Sequence, residues 1–167
     1  MLVRAKAFMK RQRIKPIRGR EGLEVYNVFM SPEALAHLKL DSDFLSALQH
    51  AGKRGMDNPL FKGADILYVD GLAIRESNHI YTTLGSISGS KWGAASDIEG
   101  SRTLICGAQS LAYADIGVAN WVEKDDDYEN QLGIAYGKIF GLHVPTWRSV
   151  VTGTEEWFGH MVLDHAI

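Results

Sequence analysis

The spacing of apolar residues changes several times along this chain, and each change marks an element. Over residues 2–12, Leu2, Ala5, Phe8 and Met9 recur at helical spacing and predict an amphipathic helix with basic flanks. Pro16 closes it, because proline disfavours helical backbone in the residue before it. Gly19 and Gly22 then bracket a turn. Residues 23–30, LEVYNVFM, are rich in strand formers. Ser31-Pro32-Glu33 has the composition of a helix start, with a capping hydroxyl and a proline whose missing N–H costs nothing at the first position. The helix that follows carries Leu35 and Leu38 on one face. Asp41-Ser42-Asp43 restarts a second helix, which Gly52 ends. Residues 52–63 read as a polar loop. ILYV and LAIRE then flank Asp70-Gly71, a dipeptide suited to a two-residue hairpin turn because both positions need positive φ.

Residues 83–101 are rich in glycine and serine and predict an exposed loop anchored by Trp92. RTLICGAQSLAYA, residues 102–114, is apolar enough for burial, with helix and strand both open on pattern alone. The stretch 131–144 is more decisive. As a helix it would place Gly133, Gly137 and Gly141 in its interior at a cost of roughly 3 kcal/mol relative to alanine. As a strand it has one bulky face, Leu132, Ile134, Tyr136, Phe140, Leu142 and Val144, interrupted by Lys138. The other face, Gly133, Ala135, Gly137, Ile139, Gly141 and His143, is mostly small. This predicts a strand whose bare side is covered by a helix.

Size changes the picture little: 167 residues make one ordinary domain, able to bury a core without disulfide or metal. No apolar run approaches the ~18 residues of a membrane helix, and the basic start lacks the apolar stretch and cleavage site of a secretory signal. As an acid-free amphipathic segment, that start also fits a mitochondrial presequence. Cys106 is the single cysteine, which points to a reducing compartment. Charge changes the picture more. Residues 1–20 hold eight of the 18 basic residues and no acid, whereas residues 21–167 hold all 20 acids. A basic arm beside an acidic body attracts nucleic acid or the acidic face of a neighbouring copy. Arg4, Lys6, Lys10, Arg11 and Arg13 are the candidates on the basic side, and Asp125, Asp126 and Asp127 on the acidic side.

Candidate chemistry is sparse. Asp125, Asp127 and Glu129 could supply oxygen ligands to a hard divalent cation, but the three consecutive aspartates lack the alternation and glycine of a calcium loop. The better reading of 123–129 is a solvated or partner-facing acidic loop. His37, His50, His79, His143, His160 and His165 match no zinc spacing. Cys106 sits in an apolar run, as inert buried thiols do. There is no phosphate loop, dinucleotide fingerprint or nucleophile elbow in a strand–helix context. These readings predict a structural protein, with no catalytic residue and no cofactor. Two rivals remain. One is a nucleic-acid-binding module using residues 1–20, and the other a divalent-metal enzyme using 123–129.

Four ordered blocks carry a resemblance: VYNVFMSPEALAHLKLDSDFLSALQ at 25–49, NPLFKGADILYVDGLAIRES at 58–77, LICGAQSLAYA at 104–114 and WVEKDDDYENQLGIAYGKIFGLHV at 121–144. Together they resemble the major capsid proteins of tailed phages related to the podovirus N-four, in their carboxyl-terminal part. The resemblance implies an α+β fold of the phage Hong Kong 97 type, an axial domain plus part of the peripheral domain, with the amino-terminal arm and long loop missing. Residues 1–22 would be a basic helical arm at the end of the spine-helix region. Residues 23–120 would be mainly axial, and 121–167 peripheral strands and tail. The tail departs from the pattern at Thr154-Glu155-Glu156-Trp157, where a plainer strand is expected. The implied function is a subunit of an icosahedral phage shell, self-assembling around double-stranded DNA held by charge only. Its implied partners are copies of itself in hexamers and pentamers and other virion proteins, with no membrane. The implied location is the virion, and the host cytoplasm during assembly.

Overall fold

The computed structural model describes residues 2–18, 22–50, 66–128, 130–150 and 152–167. The expected helix stop at Gly52, the loop 52–63 and Gly19 lie outside the described residues. The chain divides into two compact units, residues 1–109 with 158–167, and residues 110–157. No helix among the described residues is long and apolar enough to cross a membrane.

The first unit opens with helix α1 (Leu2–Arg11) and the short strand β1 (Ile17–Arg18). Next come β2 (Glu24–Met30), α2 (Pro32–Leu40), α3 (Ser42–His50), β3 (Ile66–Val69), β4 (Leu72–Glu76) and β5 (Gly100–Cys106). The strand β10 (His160–Ala166) returns to this unit after the second one. The strands form one sheet in the order β10-β5-β2-β4-β3, with β1 also pairing β2. Among the paired strands only β2 and β4 run parallel, an arrangement that the two intervening helices make possible.

Strand alternation builds the core. Tyr26, Val28 and Met30 point inward from β2 while Val25, Asn27 and Phe29 are half-buried. In register, Leu67, Ile74, Val28, Ile105 and Met161 form one row across five strands. Ala5 and Met9 of α1 and Ala34 and Leu35 of α2 belong to the same apolar cluster. Burying side chains such as Val28, Leu72, Ile74 and Ile105 contributes about 1.5–3 kcal/mol each. Tyr26 is buried with its hydroxyl donating to the Ile14 carbonyl oxygen at 2.8 Å. Burial lifts its phenol above the ordinary range, with Glu24 adding to the shift.

Local chemistry explains the element ends. Ser31 caps α2 by accepting from the Ala34 N–H, and its Oγ in turn accepts from Ser101 Oγ of β5 at 2.8 Å. Asp41 Oδ1 accepts from the N–H groups of Asp43 and Phe44, starting α3. Asp70 and Gly71, at φ 47° and 74°, turn β3 into β4 as their sequence requires. Helix α1 ends before Pro16 is reached. The Ile14 N–H bonds the Met9 carbonyl and the Arg13 N–H that of Lys10, with Arg13 at φ 60°. This is a Schellman stop with arginine where glycine is usual, and the buried pair Met9 and Ile14 seals it. Phe8, expected on the apolar stripe, is turned outward instead.

The glycine-serine stretch is a loop, as expected, but Gly100 and Ser101 at its end belong to β5 and are buried. Trp92 bridges to Ile98 and packs so closely over Gly100 that a Cβ there would lie 2.0 Å from its ring. The segment 102–114, left open between helix and strand, is neither throughout: β5 ends at Cys106, a turn follows, and an exposed strand begins at Ala112.

The second unit holds two hairpins. Strands β6 (Ala112–Asp126) and β7 (Gln131–His143) form a long antiparallel ribbon, and β8 (Thr146–Arg148) pairs with β9 (Glu155–Trp157). The tail is therefore a short strand at 155–157 followed by β10, an element that sequence reading did not anticipate.

Candidate subunit interface

The glycine-rich stretch is extended, as its composition demands. Among the described residues no helix covers it, contrary to expectation: β7 is exposed at every position. A Cβ added at Gly137 or Gly141 would meet nothing within 4 Å. The physical reason is that this ribbon has only two strands and belongs to a unit whose described elements are all strands. A two-stranded ribbon has little to bury within itself, so its side chains face solvent on both sides.

Cross-strand register assigns the faces. Tyr113 lies opposite Leu142, Asp115 opposite Phe140, Trp121 opposite Tyr136, Glu123 opposite Ile134 and Asp125 opposite Leu132. These residues make one bulky face, on which Tyr113 and Phe140 are in ring contact at 6.2 Å. Lys138, which interrupted the apolar series in sequence, pairs with Asp115 Oδ2 at 2.7 Å. The Trp121 indole donates to Glu123 Oε1 at 2.6 Å. Between Ile116 and Asn120 the register shifts, and Gly117 bends the strand at φ 83°. Val118 in that bulge is 96% exposed. The opposite face carries Ala135, Gly133 and Gly137 with Val122 and Lys124.

Tyr136 is 67% exposed, Phe140 59% and Leu132 62%, and Tyr113, Trp121, Ile134 and Leu142 are similar. With aromatic side chains of about 150–250 Å² each, these seven leave on the order of 800 Å² in solvent. That is close to what one partner contributes to a standard protein interface, and above the largest patch of most monomers.

The basic candidates separate. Arg4, Lys10, Arg11 and Arg13 are exposed on α1 or just past it. Lys6 is turned inward and held by Asp70, whose carboxylate lies 2.7 Å from Nζ and whose carbonyl oxygen accepts from the same ammonium. Among the acids, Asp125 lies on the bulky face and Asp127 in the turn at φ 58°. Glu129 and the side chain of Asp126 lie outside the described residues. Among the described residues no group of three or more His, Cys, Asp or Glu side chains comes together as a metal site. His37, His50, His79 and His143 are exposed, and His160 and His165 are half-buried on β10. Cys106 is half-buried rather than buried, because it lies on the sheet face opposite Ile105, in register with His160.

One cluster escaped sequence reading. Arg102 bonds Asp164 of β10 through Nε at 2.8 Å and Nη2 at 3.0 Å. Its guanidinium also lies 5.5 Å from the Tyr81 ring and 5.9 Å from Trp92. The hydrogen bond to Arg102 holds the Asp164 carboxyl below its usual range. The signal for this cluster was absent because its members are far apart in sequence.

The described residues form a mixed α+β body and, in the second unit, an antiparallel ribbon whose bulky apolar face is exposed to solvent. Residues 3–167 match the family described as phage capsid protein, and the chain belongs to that family. It is 47% identical over 160 residues to a major capsid protein of Pseudomonas phage KPP25, covering 95% of this chain and 42% of that protein. The chain thus spans well under half the length of that relative. Among solved structures it is similar in fold to the capsid asymmetric unit of cyanophage Pam1, with a TM-score of 0.67 and 20% identity, over 92% of this chain and 41% of that one. It is also similar to the capsid of Ralstonia phage GP4, with a TM-score of 0.58 and 26% identity, over 91% and 40%.

Proposed function

We propose that this chain is a wall-forming subunit of an icosahedral phage head, corresponding to the carboxyl-terminal part of a major capsid protein. Under this reading the fold is of the Hong Kong 97 type and the relationship is to N-four-like phages. Residues 1–22 serve as a basic arm at the end of the spine-helix region, 23–120 as the mainly axial-type domain and 121–167 as peripheral strands and tail. Copies associate in hexamers and pentamers through buried area steered by charge, around double-stranded DNA and with other virion proteins. Assembly takes place in the host cytoplasm. The observation that carries the reading is the β6–β7 ribbon, whose bulky face presents an interface-sized apolar surface to solvent in a chain of the capsid family. Negative-stain microscopy of the purified chain tests it. Rings or closed particles are expected, and a protein that stays monomeric at all concentrations and salts would overturn self-assembly by this chain.

A further inference from the structure

Two surfaces of this chain carry the same mixture of bulk and charge, with opposite sign. One is the outer half of the bulky β6–β7 face, where Trp121, Ile134 and Leu132 lie among Glu123 and Asp125. Neither acid has a cationic partner among the described residues; Glu123 accepts only from the Trp121 indole. The other is the outward side of α1. Ala5 and Met9 turn into the core and Lys6 is held by Asp70, which leaves Val3, Arg4, Phe8, Lys10 and Arg11 outward. Positions 4, 8 and 11 fall on one line of a helix, and the Arg11 guanidinium lies 5.2 Å from the Phe8 ring centroid. Arg4, Lys10 and Arg11 pair with no acid among the described residues. Arg4 to Arg11 rises about 10 Å along a helix and Glu123 to Asp125 about 7 Å along a strand, a difference that the long arginine side chains span.

We propose that the bulky acidic face of β6–β7 in one copy seats on the basic outward face of α1 in a neighbouring copy. Glu123 and Asp125 then oppose Arg4 and Arg11, and Trp121 and Leu132 cover Phe8 and Val3. The contact rests on the reading of the chain as a shell subunit and names the surfaces that meet. A nucleic acid would match the charge of α1 but neither its exposed Val3 and Phe8 nor the acidic ribbon. A second copy satisfies both surfaces at once. Because the two patches differ, the contact is head-to-tail and propagates from copy to copy, closing where the rotation allows.

Charge exchange and mixing test it in the 167-residue chain. The helix variant is Arg4→Glu with Arg11→Glu, and the ribbon variant Glu123→Arg with Asp125→Arg; circular dichroism checks that each is folded. By sedimentation velocity at low salt, each variant alone should self-associate at least about tenfold more weakly than the parent chain. An equimolar mixture should regain parental association, because each copy then meets the opposite charge on the other. A mixture that stays weak, as a contact within one copy would give, overturns the proposal. So does a helix variant that loses binding to duplex DNA while associating normally. Parental association untouched by either exchange sinks this contact and leaves the shell reading standing. No association of the parent chain at any salt removes both.

Discussion

Arg13 is a residue where local backbone and side chain disagree. It holds φ 60° to end α1, a conformation that costs a residue with a Cβ about 1–2 kcal/mol. Glycine removes that cost but gives the unfolded chain more freedom. Arg13→Gly should therefore raise stability by about 0.5–1 kcal/mol, read as a higher urea midpoint, while Arg13→Ala leaves it near the parent value. Gly100 presents the opposite case. Its backbone is ordinary strand, but Trp92 occupies the space of a side chain. Gly100→Ala should cost about 1–3 kcal/mol by forcing the indole off its seat, measurable by thermal unfolding and by a red-shifted tryptophan emission.

Among the elements, β10 is the one whose docking should depend on pH. Burial lowers the His160 imidazole below its ordinary value of 6.5, so the unfolded chain takes up that proton more readily than the folded one. Stability from this site is therefore level above pH 7 and falls as pH drops through 6.5 towards the lowered folded value. Asp164 works further down. Arg102 lowers its carboxyl below 3.8, so its contribution is present above that value and is lost as pH falls through the folded one. Urea midpoints between pH 5 and 8 should decline on the acid side, and His160→Gln should flatten that decline. A slope unchanged by the substitution would place its origin elsewhere.

For the molecule as a whole, the exposed ribbon separates folding from association. Tyr136 and Phe140 are mostly in solvent, and surface substitutions of this kind usually change stability by no more than about 0.5 kcal/mol. Tyr136→Ser with Phe140→Ser should keep the parental unfolding temperature within a few degrees. The same variant should lose most of its self-association by light scattering, since truncating buried aromatic anchors costs an interface far more than it costs an exposed surface. Equal loss of both would mean the ribbon is part of the folding core.

Much of this architecture follows from neighbours in sequence. Ser31-Pro32, Asp41 and Asp70-Gly71 act over two to four residues, so their cap and turn roles were readable from type and spacing alone. The extended state of Gly133–Gly141 was readable for the same reason, since glycine penalises a helix wherever it sits. What covers that stretch was not readable, because a bare strand face looks alike whether a helix, another copy or water lies against it. Lys6 belonged to a uniform basic series until the fold brought it to Asp70, 64 residues away, and Arg102 met Asp164 across 62. Strand β10 was not legible because the whole second unit separates it in sequence from its partner, β5. Backbone preference and capping are short-range properties of residue type, and sequence alone determined them. Pairing, charge neutralisation and exposure depend on which distant segments meet, and only the tertiary structure decided those.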